Sequence, residues 1–580
     1  MVYHGPSKGC QACRKRRVKC DQQRPSCGAC IKRNEQHICI YRVVSLKPQR
    51  DEAPSSVTRL KPQPTTELVR SAGRSNHSSL QLAKYNSLDA HTQILIVPPA
   101  DREFEAICFF FANYVNIPYE RQSNVMAECV IPAYNQASAN SHLKLATTAT
   151  AVQLSELWRQ KGPDSELAHN VYLKAVSALR KTFLDPNFAE NTDLILATIF
   201  MLDFYDSLGR RFKQCPNTDM HLKAAMALVE QQHHLGTLTD TATRVFTTLR
   251  SHYIHFSLQN RRRVGLSPEL LAISNNTGTP MARLDLIVAQ LANLIYDSRN
   301  LVSVGSDPFP LSSSHHDYMP DSDMTYEVLL WRIFDISAAL DDWQDRLGLS
   351  WQPCRNTEPE SIHHSIRAVG LYNGLCDVYT SQYVSNVYNG WRCQKVLVLR
   401  LIKHCLQFLP PSQAYPGSLG PAKVDYQIQA LVDDICASVP FLLGSRTSVT
   451  LPHNHHVKYP PVPSALRESA DYVDSSGMPT TMTDEDHSRA AAATGGWFLL
   501  TSMAVVLRYC QPIPTDQRPI AKQLLPLKLR HGQMEWILAQ VKRIHKVYHI
   551  PFKGEQLGNA NATDTTRRHD DADIYVPLVC

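Results

Sequence analysis

The sequence has little that would send it through or into a membrane. No apolar run follows the first charges of MVYHGPSKGC, so no secretory signal is read there and no oxidising compartment is implied. One stretch, Ala490 to Leu507 (AAAATGGWFLLTSMAVVL), runs for eighteen residues without a charge, near the lower limit for a span. Its first half is Ala, Thr and Gly, and DEDHSR precedes it like the acidic first turn of a soluble helix, so a buried helix and no membrane partner are expected. Strand-like alternation is scarce, and no long-period repeat is present. There is no phosphate-binding loop, nucleophile elbow or H-E-x-x-H helix, so nothing in the motifs argues for an enzyme. Cysteine is sparse over most of the chain: ten of the sixteen are scattered singly, while Cys10, Cys13, Cys20, Cys27, Cys30 and Cys39 fall within thirty residues.

What is present divides sharply. At 580 residues and 43% apolar composition the chain can bury a large core, so disorder throughout is excluded and several modules or one large helical body are expected. The formal net charge is +7, but residues 1–50 hold twelve Lys and Arg against Asp21 and Glu35, a local +10 that leaves −3 for the remainder. Residues 1–42 are too short to build a core, so a metal has to supply the stability that packing cannot. The cysteine spacing is C-x2-C-x6-C-x6-C-x2-C-x8-C. Two tetrahedral zinc ions need eight ligand positions, and six thiolates fill them only if two sulfurs bridge both metals. Cys10-Gln-Ala-Cys13-Arg-Lys15-Arg16 and Cys27-Gly-Ala-Cys30-Ile-Lys32-Arg33 match at five positions, so the unit is built from two similar halves. A disulfide knot or a soft-metal buffer are the rival readings; neither uses the surplus positive charge, which remains about +8 once six thiolates and two zinc ions are counted.

This pattern resembles the fungal binuclear zinc cluster (Zn2Cys6) transcription regulators, with all six cysteines in place. The resemblance implies that Cys10 and Cys27 bridge, that Cys13 and Cys20 complete one zinc site, and that Cys30 and Cys39 complete the other. Arg14, Lys15, Arg16, Arg17 and Lys19 lie between Cys13 and Cys20. By the resemblance the later ones enter the major groove of double-stranded DNA and read a CGG triplet: Arg16 and Arg17 first, Lys19 more weakly. A guanidinium suits this because it can donate two parallel hydrogen bonds to guanine O6 and N7. Lys32 and Arg33, equivalent in the second half, are expected to hold phosphates. The expected function is a nuclear regulator of RNA polymerase II transcription, more an activator than a repressor, serving a metabolic or secondary-metabolite pathway. The rivals are an enzyme whose cluster only targets it to DNA, and a repressor or scaffold.

The fold class read from the chain is mainly α: a small two-zinc, six-cysteine cluster head (1–42), a disordered linker (43–100), a large all-helical body (101–550) and a flexible tail (551–580). The linker is rich in Ser, Thr, Pro and charge. Its prolines and scattered apolar residues give no run of heptads, so residues 1–100 alone are expected to be monomeric, with any homodimer formed through the body. In the body, segments such as HLKLATTATAVQLSELW and MEWILAQVKRIHKVY repeat apolar residues every three or four positions. Asn191-Thr192-Asp193 reads as a helix start before Leu194. CFFFANYV, HLKAAMALVE, WFLLTSMAVVL and MEWILAQVKRIHKVY resemble the fungal-specific transcription factor region, which implies regulation and contact with the transcription machinery. Gly305 to Asp323 and Ser445 to Asp484 read as exposed loops. His233-His234, His315-His316, His363-His364 and His453/His455/His456 read as surface histidines, Arg261-Arg262-Arg263 as a solvated helix end, and the scattered cysteines, Cys108 among them, as small core hydrophobes. The tail DDADIYVPLVC mixes acid and apolar residues like an activation segment.

Overall fold

In a computed structural model, the structure describes residues 13, 15, 18, 20, 21 and 27–33, and residues 101–548 apart from 116–118, 121–124, 160–164, 214–218, 274–278, 303–323, 357, 411–419, 450–455, 469–471, 474–478, 481–482 and 511–523. The expectations for 43–100, 305–323 and the tail lie outside the described residues. The chain divides into two units, Met1–Leu95 and Ile96–Cys580.

The second unit is a succession of helices, each packed on sequence neighbours. They are α1 (Arg102–Phe110), α2 (His142–Trp158), α3 (Glu166–Thr182), α4 (Thr192–Lys213), α5 (Met220–Leu235), α6 (Asp240–Gln259), α7 (Pro280–Asp297), α8 (Tyr326–Asp345), α9 (Gln382–Leu406), α10 (Pro421–Ala437), α11 (Gly496–Cys510) and α12 (Gln533–Val547), with shorter turns between them. Their starts follow backbone chemistry. Ser141, Ser165, Thr239, Thr279, Thr325 and Ser381 each sit just before a helix and accept from a first-turn N–H, which satisfies a donor that has no partner within the helix. At Asn191-Thr192-Asp193 the structure differs. A 3₁₀ turn, Phe188–Asn191, runs directly into α4, and the Thr192 hydroxyl donates back to the Ala189 carbonyl at 2.7 Å, so no capping acceptor is needed there.

The centre is α9, 25 residues buried almost all round; such a helix belongs inside the body rather than on its surface. Two short sheets trim the helices: strand β1 (Tyr119–Glu120) pairs antiparallel with β4 (Tyr472–Val473), which pairs with β5 (Pro479–Thr480). The hairpin β2 (Cys354–Asn356) with β3 (Cys376–Val378) places Arg355 opposite Asp377.

The apolar run preceding Cys510 is a buried helix, as its composition implied: 89% of its most apolar window is enclosed by the body. Ala491–Gly495 form a π-helical turn leading into α11. A Cβ at Gly495 would lie 2.1 Å from the Leu442 carbonyl oxygen, and one at Gly496 2.1 Å from the Tyr548 ring. The Gly-Gly pair is therefore a close-packing device.

Two expectations are corrected. The 445–484 stretch is not simply an exposed loop: Arg446 is fully buried, with Val462 and Leu466 also in the core. Its guanidinium donates to the Ala492 carbonyl and the Tyr548 hydroxyl, partners that a Pro-rich composition does not disclose. Cys108 is exposed, because Ala106 and Phe110 set the inward face of α1 and a residue between them points away. Cys129, Cys376, Cys393, Cys405, Cys436 and Cys510 are buried as expected; burial raises the Cys510 thiol to about 11 and Cys376 to about 12, which leaves them inert. His233, His234, His363, His364 and His456 are exposed, and His315, His316, His453 and His455 lie outside the described residues. Arg262 and Arg263 are exposed just past the end of α6, as expected, and pair there with Asp219 and Asp297.

Candidate metal centre and nucleic-acid interface

Among the described residues of the head there is almost no aliphatic core. Its buried cluster is Cys13, Cys27 and Cys30, with Cys20 and Ala29 packed against it, so sulfur occupies the place that Leu or Val would hold in a larger domain. Cys27 has extended backbone and starts a single helical turn, Gly28–Ile31. The Cys30 N–H donates to the Cys27 carbonyl at 2.9 Å, and this turn buries both side chains. In the first half the Val18 N–H donates to the Cys13 carbonyl at 3.1 Å.

The sulfurs of the two halves meet. Cys13 Sγ lies 3.5 Å from Cys27 Sγ, and the sulfurs of Cys13, Cys20 and Cys27 lie within 4.8 Å of one another. A Zn–S bond of about 2.3 Å with tetrahedral angles puts neighbouring sulfurs of one site roughly 3.8 Å apart, so this donor set fits zinc. Cys27 comes from the second half yet groups with two first-half thiols, as a bridging ligand must. Cys10 and Cys39 lie outside the described residues.

A further side chain ties the halves together, and the sequence reading missed it. The Asp21 carboxylate accepts from the Gly28 N–H at 2.9 and 3.2 Å, bonding the first backbone donor of the second half's helical turn. A Cβ at Gly28 would stand 2.7 Å from Asp21 Oδ2, so glycine admits the carboxylate. The position equivalent to Gly28 in the first half is Gln11. That break in the internal repeat was the available signal.

Around this core Lys15, Lys32 and Arg33 are exposed, as are Val18 and Ile31. Arg14, Arg16, Arg17 and Lys19 lie outside the described residues.

Residues 8–48 match the fungal Zn(2)-Cys(6) binuclear cluster domain. The head is a binuclear zinc cluster domain. Such a domain binds two zinc ions, and the sulfurs of Cys13, Cys20 and Cys27 form a group able to hold a metal ion. The chain is also similar, over a short stretch, to the peroxisome proliferation transcriptional regulator of Saccharomyces cerevisiae, 45% identical over 53 residues. That match covers 9% of this chain and 5% of the yeast protein, so most of either chain is outside it. No solved structure matches the chain.

Proposed function

We propose that the protein is a nuclear DNA-binding regulator of RNA polymerase II transcription that reads a CGG-type triplet through the cluster domain. The observation that carries this is the meeting of thiols from both halves at Cys13, Cys20 and Cys27, with exposed Lys15, Lys32 and Arg33 around them. A metal-held core of this size has little to offer a small substrate, whereas its positive charge suits a phosphate backbone. In this reading Cys10 and Cys27 bridge the ions, Cys13 and Cys20 complete one site, and Cys30 and Cys39 the other. Arg16 and Arg17 reach guanine edges, Lys19 assists, and Arg14, Lys15, Lys32 and Arg33 hold phosphates. Residues 1–42 are the DNA-reading module, 43–100 a linker, 101–550 the regulatory body and 551–580 a tail. The short similarity to the yeast transcriptional regulator supports the class of function, activator or repressor.

The test is binding of the full zinc-loaded chain to duplexes with and without CGG, at fixed salt. Arg16→Ala or Arg17→Ala is expected to cost about 1–3 kcal/mol of discrimination. Lys32→Ala is expected to weaken all duplexes alike and to lower the salt slope by about one. A site preference that survives loss of both arginines overturns the assignment of the reading residues.

A further inference from the structure

Helix α3 turns Ala168, Val171, Ala175 and Leu179 into the body and leaves its opposite face to solvent. Leu173, Ser177, Arg180 and Leu184 are exposed and follow one another at spacings of four, three and four residues, so they share that face. Leu173 is 51% exposed, Phe183 39% and Leu184 83%. Lys174, Arg180 and Lys181 are exposed beside them, and none of the three makes an ion pair among the described residues. Asp185, the nearest carboxylate in sequence, accepts from the Asn187 N–H at 2.9 Å. Glu166 at the start of α3 and Arg180 with Lys181 at its end suit the helix dipole. Lys174 in the middle and the exposed Leu173, Phe183 and Leu184 have no such account.

The last described residue lies close to the start of this helix. The Tyr548 ring is 6.4 Å from the ring of Trp158, which ends α2, and Glu166 follows Trp158 by eight positions, at most about 29 Å of chain. Residues 549–580 lie outside the described residues. The twenty positions from Tyr548 to Arg568 can span up to about 66 Å, so the chain beyond them reaches α3 with length to spare. What it delivers is Arg567-Arg568 and then DDADIYVPLVC, in which Asp570, Asp571 and Asp573 precede Ile574, Tyr575, Val576, Leu578 and Val579. The order along α3 is complementary: Glu166, then Lys174, Arg180 and Lys181, then Phe183 and Leu184. The spacings agree as well. At about 1.5 Å per residue of helix, Lys174 lies about 12 Å, Lys181 about 22 Å and Leu184 about 27 Å beyond Glu166. At about 3.3 Å per residue of extended chain, counted from Arg568, the three carboxylates fall at about 7 to 17 Å and Tyr575 to Leu578 at about 23 to 33 Å.

We propose that residues 567–579 of this same chain dock, extended and parallel to α3, along its outward face. Asp570, Asp571 and Asp573 pair with Lys174, Arg180 and Lys181, and the apolar residues after them cover Phe183 and Leu184. Exposed ion pairs are individually worth little, but a tethered segment is present at an effective concentration on the order of millimolar, so a weak contact is populated. A second copy offers the same segment only at its concentration in solution, and the tether therefore favours the contact within one chain. Held on α3, the acidic and apolar stretch is closed to outside partners until it is released. That consequence rests on reading the stretch as an activation segment; the docking itself does not.

The experiment is amide hydrogen exchange on the full zinc-loaded chain at low ionic strength, read over residues 574–579, with carbodiimide cross-linking alongside. Exchange there is expected to run about threefold or more slower than the unstructured rate for that sequence. The slowing should vanish in the triple variant Lys174→Glu, Arg180→Glu, Lys181→Glu, whose folding is checked by thermal melting. Adding Asp570→Lys, Asp571→Lys and Asp573→Lys to that variant should restore it, because the pairs are remade with their signs exchanged. In the parent chain, cross-links should join carboxylates of 570–573 to Lys174 or Lys181, and in a mixture of isotope-labelled and unlabelled chains they should stay within single chains. Exchange at the unstructured rate in the parent, slowing that survives the α3 reversals, no recovery with exchanged signs, or links between labelled and unlabelled chains would each overturn the docking. A chain that docks this stretch yet prefers no CGG duplex would refute the DNA reading and leave the docking standing.

Discussion

Asp21 carries a structural duty that its exposed position conceals. Its carboxylate holds the Gly28 N–H, and Asp21→Ala should destabilise the zinc-loaded cluster domain by about 1 kcal/mol, the usual loss for a helix-start acceptor. The check is the domain's resistance to chelator: zinc leaves Asp21→Ala at lower chelator concentration, and unchanged resistance would show that the bond contributes nothing. Replacing Cys10 or Cys27 should be at least as damaging as replacing Cys39, since a bridging thiolate serves both ions. Zinc content that falls further on replacing Cys39 than on replacing Cys10 or Cys27 would contradict the bridging assignment. The cysteines were legible in sequence because metal ligation imposes spacing. Asp21 was not, because its partner lies seven residues on, in the other half, and only folding brings them together. Cys108 was misread for a related reason: apolar neighbours in sequence do not decide which side of a helix a residue faces.

At the scale of elements, many helices of the body could be read from apolar periodicity, whereas the Ser and Thr that accept at their starts emerge only from the structure. What could not be read is how elements lock across long sequence separations. Tyr548 shows this: its hydroxyl accepts from the Gly496 N–H and from Arg446, and lies 3.1 Å from the Ala491 carbonyl of the π-helical turn. Tyr548→Phe should cost the body about 1–3 kcal/mol, the penalty for stranding buried polar groups. Gly495→Ala should cost more, since its Cβ meets the Leu442 backbone carbonyl, which cannot rotate aside as a side chain can. Thermal melting of both variants gives the order, and a Gly495→Ala chain as stable as the parent would show that the contact relaxes freely.

Across the whole molecule, burial also sets a response to acid. His487 lies beside the Phe441 and Tyr459 rings, and burial lowers its pKa from 6.5 to about 4, with the Phe441 backbone and Asp484 opposing. The folded chain keeps this imidazole neutral, while the unfolded chain takes a proton below about 6.5. The contribution to stability is therefore complete above pH 6.5 and is lost as pH falls toward 4, amounting to about 3 kcal/mol in full. His487→Leu should shrink the fall in melting temperature between pH 7 and pH 4.5; an undiminished fall would place the acid response elsewhere. At neutral pH the larger electrostatic feature is the +10 of residues 1–50 against −3 for the rest, which concentrates attraction for a polyanion at the cluster domain. Whether that attraction is also selective is the central question, and selection of the full zinc-loaded chain on random duplex DNA at fixed salt answers it most directly. Enrichment of CGG triplets is the predicted result; recovery of sequences with no common triplet, or of a shared motif lacking CGG, would contradict the account.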